Sequence, residues 1–205
     1  MRGRKKSEET REAILKCASA VFAERPYHEV LTDDLSARLG IGKGTLYRYF
    51  GSKEEIYFAT IVAGLEGMHE AISEVLQRDV PLDETITALA RTVLGYFWER
   101  RDFFVLLHRH EPKLDPGERA EWERRRQEYV DSVGRVISRQ LERHAVSGID
   151  PRLAAEMLFG MVRAVCMYRK ESDTVEDLAR QVAEVFLHGV NGARAPAMRR
   201  AAARG

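Results

Sequence analysis

Residues 40–56, which read GIGKGTLYRYFGSKEEI, are the most informative stretch of this chain. The opening Gly-Ile-Gly predicts a tight turn, because glycine adopts left-handed backbone conformations at little steric cost. A short helix then fits residues 43–49, Gly51 interrupts it, and Ser52 and Glu55 have the spacing of a capping box that opens a new helix. The short helix carries a lysine, an arginine, a threonine and two tyrosines, which suit phosphates and base edges. We therefore expect a helix that lies in a DNA groove.

The residues before this stretch complete a small helical unit. Ile14, Ala18 and Phe22 follow the spacing of one helix face, and Pro26 ends that helix. A second short helix follows, with Thr32 as its expected N-cap. Three helices of which the last two are joined by a glycine turn have the arrangement of a helix-turn-helix unit. Its expected small core, together with the first helix, consists of Leu35, Leu39, Ile41, Leu46 and Phe50.

The net charge of the 205-residue chain is only +1, but the charge is unevenly distributed. Over residues 1–53 there are eleven arginines and lysines against seven acids, which favours a nucleic-acid partner for the front part alone. No apolar run approaches the roughly 18 residues that span a bilayer, and the basic N-terminus lacks the apolar stretch of a signal peptide. We therefore expect a cytoplasmic protein in which Cys17 and Cys166 are reduced.

Helical periodicity continues through the rest of the chain, and no segment has the alternation of a strand. The predicted fold is all-α with about nine helices: an N-terminal three-helix helix-turn-helix domain and a C-terminal helical domain. The expected domains are residues 1–53 for DNA binding, with a long connecting helix from residue 52, and residues 54–190 for the C-terminal domain. Residues 191–205 lack a periodic apolar face, which predicts a disordered tail.

Residues 39–56, together with the first-helix pattern, resemble the DNA-binding domain of the TetR family of bacterial transcription regulators. The resemblance covers about the first quarter of the chain and departs from the family at Gly42, where a capping serine is usual, and at Leu31, where threonine or serine is common. It implies an all-α homodimer whose C-terminal domain serves ligand binding and dimerisation: it pairs through its last two long helices and encloses a small-molecule pocket. The homodimer binds double-stranded DNA. Apart from the resemblance, we expect no cofactor and no enzymatic activity. Carried onto this sequence, the DNA-binding residues are Thr32, Lys43, Gly44, Thr45, Tyr47, Arg48, Tyr49 and Lys53.

Large apolar side chains between residues 82 and 170 suit a pocket for a small apolar effector. Helical spacing alone does not separate pocket lining from core. The candidate pocket residues are Phe97, Phe103, Phe104, Leu107, His108, Tyr129, Met157, Met161 and Tyr168.

The last two long helices carry apolar stripes that fit a four-helix dimer interface. Gly160 would allow close helix approach, and the alternative is that the stripes belong to the core of one chain. The candidate interface residues are Leu153, Met157, Gly160, Met161, Leu178, Val182, Val185 and Phe186.

The sequence His108-Arg-His110-Glu111 supports an alternative function, a metal-dependent enzyme or a metal sensor. Residues two apart point to different helix faces, so His108 and His110 do not bind one ion from an intact helix, whereas His108 and Glu111 share a face. No nucleophile–base spacing or phosphate loop supports an enzyme. The preferred function is a ligand-responsive transcriptional regulator, a repressor released from a palindromic operator by a small apolar molecule.

Overall fold

The computed structural model describes residues 2–109, 116–143 and 148–192, and across these ranges the regular structure is helical without strands. The all-α expectation is confirmed. Nine α-helices and one short 3₁₀ turn, Tyr27–Glu29, make up the regular structure of the described residues. The helices are α1 Arg2–Glu24, α2 Thr32–Leu39, α3 Lys43–Tyr49, α4 Lys53–Leu76, α5 Leu82–Glu99, α6 Arg101–His108, α7 Pro116–Arg143, α8 Pro151–Tyr168 and α9 Val175–Gly192.

Local capping signals set several of these helix ends. Gly40 ends α2 with φ +65°, the left-handed conformation that glycine adopts most easily. The carboxylate of Asp150 accepts hydrogen bonds from the backbone amides of Arg152 and Leu153, which caps α8. The hydroxyl of Thr174 accepts the amide of Asp177 in the same way at the start of α9. These ends therefore follow from residues that lie within one helical turn.

Two compact units organise the chain, one from Met1–Met68 and Arg100–Arg126, the other from His69–Glu99 and Gln127–Gly205. In the first unit α1 packs against α2 and α6, and α2 packs against α3. In the second unit α5 packs against α8 and α9, which also contact each other. The sequence-based division at residue 53 follows the motif, whereas the packing places α6 with the N-terminal helices.

The first unit has an apolar centre built from the buried faces of its helices. A Cβ added at Gly64 of α4 would overlap the ring of Phe103 on α6, so these two helices approach closely at that glycine. The fully buried side chains of this unit include Ile14, Ala18, Val21, Phe22, Leu35, Leu46 and Ile56.

The second unit has its own core along α5. Removing this apolar surface from water is the main stabilising contribution to such a helical unit. Among the residues that the structure describes, no helix is both long and apolar enough to cross a bilayer. The core side chains include Ile86, Leu89, Leu94, Leu158, Val162, Ala179 and Val182.

Helix α6 ends at His108, with Arg109 as its C-cap in extended conformation. One helix end differs from the sequence-based expectation. The last helix continues to Gly192, two residues into the segment expected to be a tail. The remaining tail residues, 193–205, lie outside the described residues.

Candidate nucleic-acid interface

The turn between α2 and α3 is held by backbone hydrogen bonds. The left-handed Gly40 lets the amide of Ile41 bond back to the carbonyl of Ser36 at 3.1 Å, which satisfies the end of α2. Gly42 is the N-cap of α3, and its carbonyl accepts the amide of Thr45 at 2.8 Å. No side chain caps α3, as expected from a glycine at this position. The glycine turn thus fixes where the short helix begins.

One face of α3 is anchored in the core of the first unit. Leu46 is fully buried, and Phe50, just after the helix, is 2% exposed. Leu35 of α2 is fully buried as well, while Leu39 and Ile41 of the expected small core are half-buried. Because Leu46 faces inward, the opposite face of this seven-residue helix faces solvent.

The solvent face of α3 carries most of the predicted DNA-binding residues. Tyr47 is 42% exposed, and Lys43, Gly44 and Arg48 are exposed, whereas Thr45 and Tyr49 are half-buried. The guanidinium of Arg48 lies 5.5 Å from the ring centre of Tyr49. A Cβ at Gly44 would meet only open space, so the chain itself does not require glycine there.

The N-terminal turn of α2 lies beside this face. The ammonium of Lys43 is 2.7 Å from a carboxylate oxygen of Asp33, and this hydrogen bond raises the pKa of Lys43. The hydroxyls of Thr32 and Tyr47 are 3.1 Å apart. Two successive residues of α2 therefore contact two residues of α3 that lie one turn apart.

Thr32 does not have its expected capping role. It is the first residue of α2, and Leu31 is the N-cap in extended conformation. The carboxylate of Asp34 accepts the amide of Leu31 at 3.0 Å and the guanidinium of Arg25 at 2.8 Å. The hydrogen bond from the Leu31 amide is the main cause that lowers the pKa of Asp34. The helix start is stabilised by an acid three residues on, which leaves the Thr32 hydroxyl for Tyr47.

Tyr49 joins the end of α3 to α1. Hydrogen bonds from Ser7 and then Thr10 lower the pKa of its hydroxyl. The guanidinium of Arg11, on the same helix, lies 5.3 Å from the ring centre of Phe50. Tyr49 is therefore hydrogen-bonded to α1 within the first unit.

Lys53 is held by the loop between α1 and α2. Its ammonium donates to the carbonyls of Tyr27 and Val30, both at 3.0 Å, and lies 4.1 Å from the ring centre of Tyr27. That ring in turn contacts Phe22 and Tyr57, with centroids 5.7 and 5.2 Å away. Two of the three ammonium protons are thus engaged inside the protein.

The start of α4 nearby follows its capping signal in part. Glu55 donates its amide to the hydroxyl of Ser52, as the capping box predicts. Its carboxylate, however, accepts the amide of Gly51 and not that of Ser52. The helix start is therefore capped at the expected place, with one of the two reciprocal bonds shifted by a residue.

The contacts of Arg109 have no counterpart in the sequence-based prediction. The guanidinium of Arg109, just after α6, donates to the carbonyls of Phe22 and Arg25 at 3.1 and 3.2 Å. It satisfies backbone acceptors at the end of α1, which a helix leaves unpaired. The partners are 87 and 84 residues apart in sequence, and no local pattern signals such a pair.

The predicted pocket residues divide between the two units. Met157 and Tyr168 are 58% and 80% exposed, so within one chain they lie on the surface. In the first unit Phe103 is buried and Phe104, Leu107 and His108 are half-buried; in the second, Phe97 and Tyr129 are buried and Met161 is half-buried.

The second unit also contains two open grooves, of about 400 and 470 Å³. The first is lined by residues of α5 and α9, among them Arg91, Arg180 and Glu184. The second is lined by the end of α4 and by α7, including Leu76 and Arg139. Charged side chains contribute to both, and neither contains a predicted pocket residue.

Three of the predicted interface residues lie on an exposed face of α8. Leu153 and Met157 are 57% and 58% exposed, and Gly160 is exposed between them and the helix end. Met167, which the sequence analysis did not assign to this face, is also exposed. Of the remaining predicted interface residues, Val185 is exposed, Met161, Leu178 and Phe186 are half-buried, and Val182 is buried within its own unit.

The metal alternative finds no support in the described part of the chain. His108 ends α6, with Nδ1 2.8 Å from the carbonyl oxygen of Phe104. His110 and Glu111 lie outside the described residues. Among the residues that are described, no group of three or more histidine, cysteine, aspartate and glutamate side chains is arranged to hold a metal ion.

The fold and the exposed polar face of α3 define a helix-turn-helix DNA-binding protein. Residues 14–60 match the family model described as "Bacterial regulatory proteins, tetR family", and residues 79–190 match the model described as "Tetracyclin repressor-like, C-terminal domain". The chain therefore belongs to the TetR family of transcriptional regulators.

Individual relatives are similar over most of their length. The HTH-type transcriptional activator FasR of Mycolicibacterium smegmatis is 24% identical over 155 residues, which are 76% of this chain and 68% of FasR. The TetR-family regulator PfmR of Thermus thermophilus has a TM-score of 0.76 at 26% identity, over 86% of this chain and 98% of PfmR. The regulator FadR of Bacillus subtilis, solved in complex with stearoyl-CoA, has a TM-score of 0.76 at 18% identity, over 86% of this chain and 97% of FadR. The likeness to FadR shows a shared fold.

Proposed function

We propose that this chain is a homodimeric transcriptional repressor that a small molecule with an apolar acyl part releases from a palindromic operator. The observation that carries the proposal is the face of α3, where Lys43, Tyr47 and Arg48 are exposed around the buried anchor Leu46. In a helix-turn-helix protein the second helix enters the major groove, where such side chains reach base edges and phosphates. Because a bacterial regulator binds the chromosome in the cytoplasm, the proposal includes a cytoplasmic location.

The exposed apolar face of α8 supports a homodimer. Leu153, Met157 and Met167 present apolar surface to water in the single chain, and a partner surface that covers them removes this cost. A dimer with two recognition helices reads two half-sites spaced by about 34–36 Å or a multiple of it. Two-fold symmetry of the protein then requires a palindromic operator.

The effector class follows from the relatives and from the side chains of the C-terminal part. FadR binds stearoyl-CoA, and large apolar side chains between residues 82 and 170 suit an acyl chain. Release from DNA requires that the effector binds the non-operator conformation more tightly than the operator-bound one. FasR is named as an activator, so the direction of regulation also has to be tested.

The DNA-binding part is tested on α3. Wild-type protein is first used to enrich duplexes from a random-sequence library, and fluorescence anisotropy then measures binding to the enriched duplex. Lys43→Ala and Tyr47→Ala are each expected to weaken that binding by about 10- to 100-fold, since a base contact contributes about 1–3 kcal/mol. Lys16→Ala, an exposed lysine on α1, is the matched control and should bind like wild type. Wild-type affinity in the α3 variants would show that another surface reads the DNA.

The effector part is tested by adding stearoyl-CoA to the protein–DNA complex. We expect dissociation at micromolar stearoyl-CoA and no effect of coenzyme A alone, because the acyl chain supplies the apolar contact. A reporter gene behind the enriched duplex should be silenced by the protein and relieved by the effector. Activation of the reporter would instead assign the protein the role for which FasR is named.

A further inference from the structure

Lys43 is in a different electrostatic state from the other basic side chain on the DNA-facing side of α3. Its ammonium is paired with the carboxylate of Asp33 at 2.7 Å, although both side chains are more than half exposed. The guanidinium of Arg48 contacts the ring of Tyr49. Of the two, Lys43 is therefore the one held in an ion pair with a carboxylate from the neighbouring helix.

The geometry around Asp33 differs from that of the next residue. Asp34 is used inside the first unit, where it binds the amide of Leu31 and the guanidinium of Arg25. Asp33 is 64% exposed, and within the described residues the contact shown for it is the one to Lys43. Its carboxylate is thus available to the DNA-facing side, and replacing it does not remove a helix cap.

The contact works together with the one beside it. Thr32 holds the hydroxyl of Tyr47 while Asp33 holds the ammonium of Lys43, so adjacent residues of α2 orient two side chains one turn apart on α3. The lysine side chain is long and flexible, and orienting it before DNA arrives lowers the ordering cost of a specific contact.

An ion pair of this kind also changes what Lys43 contributes to unspecific binding. Affinity for any DNA sequence comes from cations that neutralise phosphates and release counterions. A lysine already neutralised by a carboxylate contributes less to this effect, and the carboxylate itself repels phosphates. Exposed ion pairs contribute little stability, so the pair can be exchanged for a base-edge acceptor in the right sequence.

We infer that Asp33 is a specificity-determining residue, which orients Lys43 toward base edges and weakens its attraction to phosphates of any sequence. This inference rests on the proposed function of α3 as the recognition helix. Asp33 acts here through Lys43 and is a positioning residue, so the test needs readouts that a merely structural role does not change.

The test measures binding of Asp33→Asn to the duplex enriched by wild-type protein and to a scrambled duplex of the same composition, over a range of salt concentrations. On the scrambled duplex we expect several-fold tighter binding and a salt dependence steeper by about one phosphate contact. The ratio of specific to unspecific affinity should fall, and Asp33→Glu should restore it.

Two controls separate this effect from a general change in charge. Glu12→Gln removes a charge from another exposed acid of the same unit and should change the scrambled-duplex affinity less. In a Lys43→Met background, Asp33→Asn should alter the salt dependence clearly less, because only the direct repulsion between the carboxylate and the phosphates is then removed. Thermal unfolding of all variants checks that the fold is retained.

The outcomes separate the inference from the proposed function. If wild-type protein enriches no duplex, the proposed function fails, while the scrambled-duplex measurements still decide whether Asp33 weakens the attraction of Lys43 to phosphates. If wild-type protein selects a duplex and Asp33→Asn leaves both affinities unchanged, the inference is overturned and the proposed function stands. An equal effect of Glu12→Gln, or an unchanged effect of Asp33→Asn in the Lys43→Met background, also overturns the inference.

Discussion

The helices α3 and α8 each leave one face exposed, and the two faces have opposite chemistry. On α3 the exposed side chains include Lys43 and Arg48, which are well solvated in water and are stabilised further by a partner that supplies charge and hydrogen bonds. On α8 they include Leu153 and Met157, which gain when water is excluded. Exposure alone therefore does not define a function, because the chemistry of the exposed side chains determines which kind of partner each helix face can bind.

The largest expected effect comes from placing a charge on the apolar face of α8. Met157→Arg should raise the dissociation constant of the dimer by about 100-fold or more, since an unpaired charge in an interface costs several kcal/mol. Because Met157 is exposed in the single chain, the thermal midpoint of the monomer should hardly change. Sedimentation velocity measures the fractions of monomer and dimer. Arg163→Ala, at an exposed position on the same helix, is the control. If the monomer–dimer distribution is unaltered, the dimer contact lies elsewhere, and the exposed face of α8 does not bind a second copy of the chain.

A smaller effect tests how far the DNA-facing surface extends beyond α3. Lys53→Met should lower the free energy of unfolding by about 1–2 kcal/mol, because two hydrogen bonds from a charged donor are lost. The salt dependence of DNA binding should be nearly the same in the variant and in wild type, because the ammonium is hydrogen-bonded to the loop between α1 and α2. Chemical denaturation and anisotropy titrations measure the two quantities, with Lys16→Met as the control for an exposed lysine. If the variant instead keeps its stability and its DNA binding depends on salt with about one phosphate contact fewer, Lys53 belongs to the proposed DNA-facing surface.

The smallest expected effects come from replacing one glycine by alanine on the exposed face of α3 and one on the exposed face of α8. Gly44 and Gly160 are exposed, and a Cβ at either meets open space in the single chain. Alanine should therefore raise the free energy of unfolding by about 0.5–1 kcal/mol at both positions.

Their binding effects should differ. Gly44→Ala should weaken DNA binding by about 1 kcal/mol, roughly fivefold, with the dimer unchanged, because in the proposed complex the added methyl group stands between the helix backbone and the duplex. Gly160→Ala should weaken the dimer by a similar amount and DNA binding only through it. Matched anisotropy and sedimentation measurements on both variants check this. Equal effects of both substitutions on DNA binding and dimerisation would remove the functional distinction between the two faces.

Much of the fold follows from local sequence signals. Gly40, Asp150 and Thr174 each set a helix end in the structure by acting on backbone groups within one turn. Leu46 is predicted as core because apolar spacing defines a helix face, and it is fully buried. Thr32 shows the limit of such signals, because a good N-capping residue is present while Asp34 stabilises the helix start. Two local signals compete there, and the sequence alone does not rank them.

The candidate surfaces were predictable as patterns, but the contacts of their residues were not. A stripe of apolar residues on α8 and α9 predicts a packed face, yet Val182 is buried in its own unit whereas Met157 is exposed. The same periodicity fits both cases, because the pattern does not contain the position of the neighbouring helix.

The sequence by itself determined the all-helical class, the helix-turn-helix unit and the polar character of α3, since these depend on interactions between residues a few positions apart. Only the tertiary structure decided that Asp33 pairs with Lys43, that Lys53 binds the carbonyls of Tyr27 and Val30, and that Arg109 joins α1. These partners are ten to almost ninety residues apart. Their meeting depends on how whole helices pack, which no local rule of spacing contains.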